Sequence, residues 1–254
     1  MDVKNKVAIV TGSSSGVGAE LAVKLAALGA RVVVNYANTL AGAEQTVARI
    51  TEAGGAAILC RADVSDEAQC VKLVDQAVTA FGQLDILVNN AGTTTYVEHK
   101  QLDKLTDEIW QSTLGTNLMG PFYMTRAAAP EIAKRGGGEI VMTSSIAGLT
   151  TNGSSMAYCA SKAALNSMTR TLAKALGEQN IRVNAICPGL IDGRWAQEGW
   201  ADDWEGVKAL VRDKSPLSKV STPEDVADSI MSIITGTDVM TGQIITIDAG
   251  FTIT

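Results

Sequence analysis

KVAIVTGSSSGVGAELAVKLAALGA, Lys6 to Ala30, runs from a β-rich apolar stretch through a glycine-studded turn into a helical pattern. Val7 to Val10 form a short apolar run that ends at Thr11-Gly12. Val17, Leu21, Leu25 and Leu28 then recur at the spacing that lines one helix face. Gly29 stands where a helix C-terminus commonly takes the left-handed conformation. Strand, tight turn and helix in that order are the opening of a β-α-β unit.

The same alternation continues outward to the end of the chain. RVVVNY is a second apolar strand, followed by a helical pattern from about Ala41 to Ala53. AAILCRADV, LDILVNNAG, GGEIVMTSS, IRVNAICPG and TGQIITIDAG repeat the strand theme. Strands apolar on both faces, each followed by a helix, imply a parallel sheet covered on both sides. Thr222-Pro223-Glu224-Asp225 supplies an N-cap, a first-turn proline and an acid at the third helical position, so a late helix starts there. No internal repeat or linker breaks the pattern. The expected fold is α/β, a single doubly wound Rossmann-type domain over residues 1–254 with about seven strands.

Composition agrees with one large core: 46% of residues are hydrophobic and 19% charged, too little charge for disorder. The net charge of −6 is spread without a basic cluster, which argues against nucleic acid or an anionic membrane as partner. The N-terminus MDVKNKVAIVTG has no signal-peptide pattern, and no apolar run approaches the ~18 residues of a membrane span. Cys60, Cys70, Cys159 and Cys187 form no CxxC pair and have no adjacent histidine, so no metal site is expected. Four reduced thiols suit a cytoplasmic protein.

In the first turn, Gly12, Ser14, Ser15, Gly16, Val17 and Gly18 sit where backbone N–H groups and a helix N-terminus approach a pyrophosphate. Gly12-Ser13-Ser14-Ser15-Gly16 also matches the G-x-S-x-G nucleophile elbow of hydrolases. That reading needs a late histidine, and the chain's one histidine, His99, lies before the midpoint. His99 reads instead as a loop residue.

An NAD-selective site usually has an acid at the end of the second strand, about 20 residues past the glycines. Here that region is Asn35-Tyr36-Ala37-Asn38-Thr39, with no acid before Glu44. Tyr36, Asn38 and Thr39 are able to hydrogen-bond a 2′-phosphate, although no arginine stands at that strand end or in the glycine turn. NADP(H) is the expected cofactor, with NAD(H) retained as the alternative of a loosely selective polar turn.

Tyr158 and Lys162 are four residues apart at the start of a helical run through Leu176, hence on one helix face. A free phenol titrates near pKa ~10, and a nearby cation favours its ionised form, which suits general acid–base work. Thr11-Gly12, Gly16 and Gly18, Asn89-Asn90-Ala91-Gly92, Asn117, Ser145, Tyr158 with Lys162, and Pro188-Gly189 stand in an order that resembles the short-chain dehydrogenases/reductases. The likeness covers essentially the whole chain and includes proteins of the 3-oxoacyl-carrier-protein reductase kind.

The resemblance implies that Tyr158 exchanges a proton with a carbonyl or alcohol oxygen, and that Ser145, thirteen residues earlier, polarises that oxygen. It implies that Lys162 binds the nicotinamide ribose and lowers the Tyr158 pKa, while Asn117, in the helix before the fifth strand, holds a water for proton relay. Asp63 and Val64 match adenine contacts, Asn90, Ala91 and Gly92 the central ribose stretch, and Pro188, Gly189 and Ile191 the nicotinamide end. One departure is Gly193, where the family often has a threonine that holds the carboxamide. Cys159 reads as a packing residue, since no histidine is placed to activate it.

PGLIDGRWAQEGWADDWEG, Pro188 to Gly206, holds three of the chain's four tryptophans. A substrate lid is expected at about 189–215, with Trp195, Trp200 and Trp204 closing over an apolar or ring-shaped substrate and the glycines acting as hinges. Packing on the domain or on a neighbouring subunit is the competing role for these indoles. The expected activity is an NADP(H)-preferring reduction of a carbonyl, or oxidation of a secondary alcohol. A non-catalytic nicotinamide sensor or scaffold, and a dehydratase or epimerase of the same fold, are the alternatives. The resemblance also implies a homotetramer, with the Tyr158 helix and the C-terminal strand as interfaces.

Overall fold

The computed structural model describes residues 1–253. In chain order the elements are β1 (Val7–Val10), α1 (Gly16–Ala27), β2 (Arg31–Tyr36), α2 (Leu40–Glu52), β3 (Ala56–Arg61), α3 (Glu67–Phe81), β4 (Ile86–Asn89) and α4 (Asp107–Leu114). They continue as α5 (Gly120–Ala133), β5 (Gly138–Thr143), α6 (Met156–Leu176), β6 (Ile181–Pro188), α7 (Arg194–Trp200), α8 (Trp204–Lys214), α9 (Pro223–Thr235) and β7 (Ile244–Ile247).

The strands form one parallel sheet in the order β3-β2-β1-β4-β5-β6-β7. Their period of two divides the core in half. Val7, Ile9, Leu87, Ile140 and Met142 face α3, α5 and α6. Ala8, Val10, Ile86, Val88 and Val141 face α1, α2 and α9. Both faces are dry, which is why these strands read as unbroken apolar runs. The expected capping box starts α9: Thr222 Oγ1 accepts the Asp225 N–H at 3.2 Å, and Asp225 returns a bond to the Thr222 N–H at 2.8 Å.

The chain reverses its direction of travel across the sheet between β1 and β4, so the turns that follow these strands diverge and open a crevice. Three polar side chains satisfy the backbone there. Thr11 Oγ1 accepts the N–H groups of Asn90 (2.9 Å) and Ala91 (3.0 Å). Asn90 Nδ2 donates to the carbonyls of Thr11 (3.0 Å) and Gly12 (3.2 Å). Asn35, buried at the end of β2, accepts the Gly12 N–H at 3.1 Å and donates to the carbonyls of Cys60 and Ala62.

Asn35→Ala leaves those buried groups without partners, at a cost of about 1–3 kcal/mol. The expected result is a lower melting temperature together with weaker nicotinamide-cofactor binding; calorimetry showing an unchanged melt would count against this account of the turn.

Candidate active site

A cleft of about 1830 Å³ runs along the carboxyl ends of the strands, from Gly12 and Thr39 at one end to Tyr158 and Trp200 at the other. Gly12 has φ +61°, and a Cβ there would lie 2.9 Å from the Ala91 Cα. Gly16 has φ +56° and opens on free space. Ser15 caps α1 without a side-chain hydrogen bond, and the first turn carries no acid. The N–H groups of that turn therefore meet the cleft without a side-chain acceptor or a competing negative charge, a donor set that fits a pyrophosphate.

Not every residue of the expected cofactor set lines the cleft. Ser14, Ser15, Val17, Asn38, Thr39, Asp63, Val64, Asn90, Ala91, Gly92, Pro188, Gly189 and Ile191 do. Gly18 does not: a Cβ on it would fall 2.5 Å from Asn90 Nδ2 and 2.7 Å from the Gly12 carbonyl, so it serves helix–strand packing. Tyr36 packs against the α1–α2 side of the core instead of facing the cleft.

Arg61 compensates in a place that inspection of β2 misses. In the sheet register it stands beside Tyr36, and its Nε donates to the Ala37 carbonyl at 3.3 Å. An exposed guanidinium thus lies beside the turn that holds Asn38 and Thr39. The signal was a terminal arginine on β3, readable only once the strands are aligned.

The catalytic candidates converge from three elements. Ser145 begins a short 3-10 turn after β5, with extended backbone and its Oγ accepting the Ala147 N–H at 3.1 Å. Ser144, its neighbour, is buried and bonds the Lys162 carbonyl. Ser155 caps α6 by accepting the Tyr158 N–H at 3.2 Å, which fixes Tyr158 on the first turn. Lys162 follows one turn later, buried, with Nζ 5.5 Å from the Tyr158 ring centre and donating to the Thr143 carbonyl at 2.8 Å.

Asn117 lies in a π-helical turn, Gly115–Met119, between α4 and α5, a widened geometry common at functional sites. Its side chain makes three hydrogen bonds. Oδ1 accepts the Thr93 N–H at 2.8 Å, while Nδ2 donates to the Thr93 carbonyl at 2.9 Å and to Ser161 Oγ at 3.1 Å. Its amide therefore ties the loop after β4 to α6.

The electrostatics also differ from expectation. Burial holds the Tyr158 phenol well above its ordinary value, opposed by a hydrogen bond from Ser145 and reinforced by the nearby Tyr96 phenol. Burial likewise pulls the Lys162 ammonium down to about 8. Both groups are pressed toward their neutral forms by desolvation.

The segment expected to form a lid folds as α7 and α8. Trp195 and Trp200 line the cleft, half exposed, whereas Trp204 turns inward and is buried, with Lys208 Nζ 5.9 Å from its ring centre. Tyr96, from the loop after β4, meets Trp200 edge-on at 5.7 Å. A Cβ on Gly199 would lie 2.0 Å from the Tyr96 ring, so this glycine admits a ring. Gly193 is the N-cap of α7, in extended conformation, and contributes no hydroxyl at the nicotinamide end. The lid's base is closed by an isolated parallel bridge between Ile191 and Ser221, with the Asp192 N–H donating to the Ser221 carbonyl at 2.8 Å. Asp192 also accepts from Lys208 and from Gln197. Cys159 is partly exposed, while the other three cysteines are buried; all four are free thiols.

Crevice, phosphate cradle and Ser-Tyr-Lys grouping together define a nicotinamide-dependent oxidoreductase of the Rossmann type. Residues 12–252 match the family model described as enoyl-(acyl carrier protein) reductase. A ketoacyl reductase of the granaticin polyketide synthase from Streptomyces violaceoruber is 43% identical over 96% of this chain and 95% of its own. A 3-oxoacyl-[acyl-carrier-protein] reductase from Synechocystis is 35% identical over 96% of each chain. A short-chain dehydrogenase/reductase structure from Burkholderia xenovorans superposes with a TM-score of 0.91, at 32% identity and 98% coverage of both chains. The chain belongs to the NAD(P)-dependent short-chain dehydrogenase/reductase family.

A lysine depressed to about 8 in the fold and near 10.5 unfolded means that the unfolded chain binds more protons between those values. Stability therefore rises with pH across that window, and the buried ammonium is a cost below it. Lys162→Met removes the charge and one hydrogen bond, for a net gain of about 2 kcal/mol at neutral pH. The expected outcome is a more stable, inactive protein whose advantage in denaturant titrations shrinks between pH 8 and 10.5; a less stable variant at pH 7 contradicts it.

Proposed function

We propose that the protein is an NADP(H)-preferring carbonyl reductase, or secondary-alcohol dehydrogenase in the reverse direction, with Tyr158 as general acid and base. The observation that carries this reading is the gathering of Ser145, Tyr158 and Lys162 on the floor of one cleft whose other end is the open N-terminus of α1. Gly12, Ser14, Ser15 and Gly16 hold the pyrophosphate, and Asn90, Gly92, Pro188 and Ile191 flank the nicotinamide half. When bound, the nicotinamide supplies or accepts the hydride.

Ser145 donates to the substrate oxygen and fixes its position. Tyr158, kept protonated by burial, gives its proton to that oxygen as negative charge develops there. Lys162 lies behind the phenol and stabilises the phenolate left after transfer. Asn117 acts through Thr93 and Ser161 by holding the two walls of the site in register.

Cofactor preference rests on two features. The β2 end lacks a carboxylate to repel a 2′-phosphate, and the Arg61 guanidinium beside Ala37 offers it a cation. The apolar side of α5 and α6, around Phe122, Ala129, Leu172 and Leu176, and the half-buried edge strand β7, support assembly into a homotetramer. A single domain over residues 1–254 with a lid at about 189–215, and a cytoplasmic location for four free thiols, complete the reading.

Tyr158→Phe is expected to lower kcat for ketone reduction by two or more orders of magnitude, roughly the share of an acid–base catalyst, while NADPH binding by fluorescence stays within a few-fold. A Phe variant near parental activity would remove the proton-donor role. Arg61→Ala is expected to weaken NADPH about tenfold, on the order of one charged hydrogen bond, and to leave NADH unchanged. Equal losses for both cofactors would exclude Arg61 from phosphate recognition, and a parent that turns over NADH better than NADPH would overturn the preference.

A further inference from the structure

The chain has four tryptophans and four tyrosines, and two of each meet at the lid end of the cleft. Trp195 stands edge-on to the Tyr158 ring at 6.2 Å and 84°. Trp200 stands edge-on to Tyr96 at 5.7 Å and 75°. These contacts are perpendicular, so each pair leaves indole surface free, and the two indoles are 49% and 39% exposed within a concave site. Large half-exposed indoles are costly to leave in water unless a ligand covers them.

The walls come from separate parts of the chain, Tyr96 from the loop after β4 and the indoles from α7. Gly199 is what lets them close, since any side chain there would strike the Tyr96 ring. Tyr158 belongs to both the aromatic wall and the chemistry, so a ring carrying a carbonyl on its edge reaches the proton donor while its faces rest on indole. Aromatic rings favour such stacked and edge-on placements.

The rim is poorly suited to a substrate with several negative charges. Arg194 pairs with Glu198 at 3.6 Å, and Lys100 with Glu98 at 3.0 Å, so these cations are already matched by carboxylates. His99 spends its Nε2 on the Gly153 carbonyl at 3.2 Å. Lys104 is the further rim ammonium, one charge against the several phosphates of a coenzyme A thioester.

We propose that the substrate is a planar, uncharged ketone built on fused rings, gripped by Tyr96, Trp195 and Trp200 with its carbonyl toward Tyr158 and Ser145; this rests on the carbonyl-reductase reading above. The change is balanced by two donors. The carbonyl carbon gains a hydride from reduced nicotinamide and its oxygen gains the Tyr158 proton, giving a secondary ring alcohol and oxidised cofactor, and the phenol is reprotonated from solvent.

The test compares 1-tetralone and 2-tetralone with acetoacetyl-coenzyme A and the N-acetylcysteamine thioester of acetoacetate, with 2,3-butanedione as a small control ketone, all followed by NADPH absorbance. The expected result is a kcat/KM for a tetralone at least tenfold above either thioester. Trp200→Ala is expected to raise the tetralone KM about tenfold with a smaller change in kcat, and Trp200→Phe to restore much of it. Thioesters preferred over both tetralones, with the control ketone reduced, would overturn the ring-ketone inference and leave the reductase reading standing. Reduction of none of these carbonyls would overturn the reductase reading, and tryptophan fluorescence would then decide the ring-binding site by itself. Saturable quenching by a tetralone, lost in Trp200→Ala, upholds the aromatic clamp as a ring-binding site while ending its role in reduction, and the absence of quenching ends the clamp too.

Discussion

The whole site depends on keeping the gap between β1 and β4 open while leaving no buried backbone group unpaired. A parallel sheet whose connections reverse direction must separate the two turns at the reversal, and those turns lose the ladder partners that strands provide. Thr11, Asn35 and Asn90 replace those partners. Their bonds hold Gly12 against Ala91 at a distance no side chain tolerates. Asn35 is therefore more than a polar residue lining the cleft at the end of a strand. It is the link through which β2 and β3 set the shape of the phosphate cradle.

At the other end of the cleft, burial governs the chemistry. Tyr158 and Lys162 sit where water is scarce, and each is biased toward its neutral form. In the proposed mechanism this keeps a proton on the phenol until charge develops on a substrate oxygen. For the ammonium it is a standing cost in the fold. The hydrogen bond from Lys162 to the Thr143 carbonyl relieves part of that cost and aims the side chain. Function here is in tension with stability, as is common in sites that bury ionisable groups.

The alternation of apolar strands and patterned helices made the seven-stranded sheet legible, because both faces of the central strands are dry. The Ser145, Tyr158 and Lys162 grouping was legible because helix periodicity and the family resemblance gave the same answer. What escaped was information carried between strands or between loops. Arg61 adjoins the β2 end only through sheet register, and Tyr36 leaves the cleft because its position in the pleat turns it to the core. Trp204 looked like its neighbours in composition, yet it faces the opposite side of the lid. Gly199 looked like a hinge, but the ring it admits is Tyr96, far away in sequence. Asn117 has the expected address, and its amide also bonds Thr93 and Ser161, which no spacing rule reports.

The bridge between Ile191 and Ser221 gives the lid a property separate from its chemistry. Both ends of that segment are fastened to each other and to the sheet, so the entropy of closing the loop is met by backbone pairing outside the segment itself. Loop length then costs little, since closure entropy grows only slowly with the number of residues. The lid is in effect a cartridge on a fixed mount. By this argument its helices tolerate changes of length while β6, α9 and the phosphate cradle keep their places.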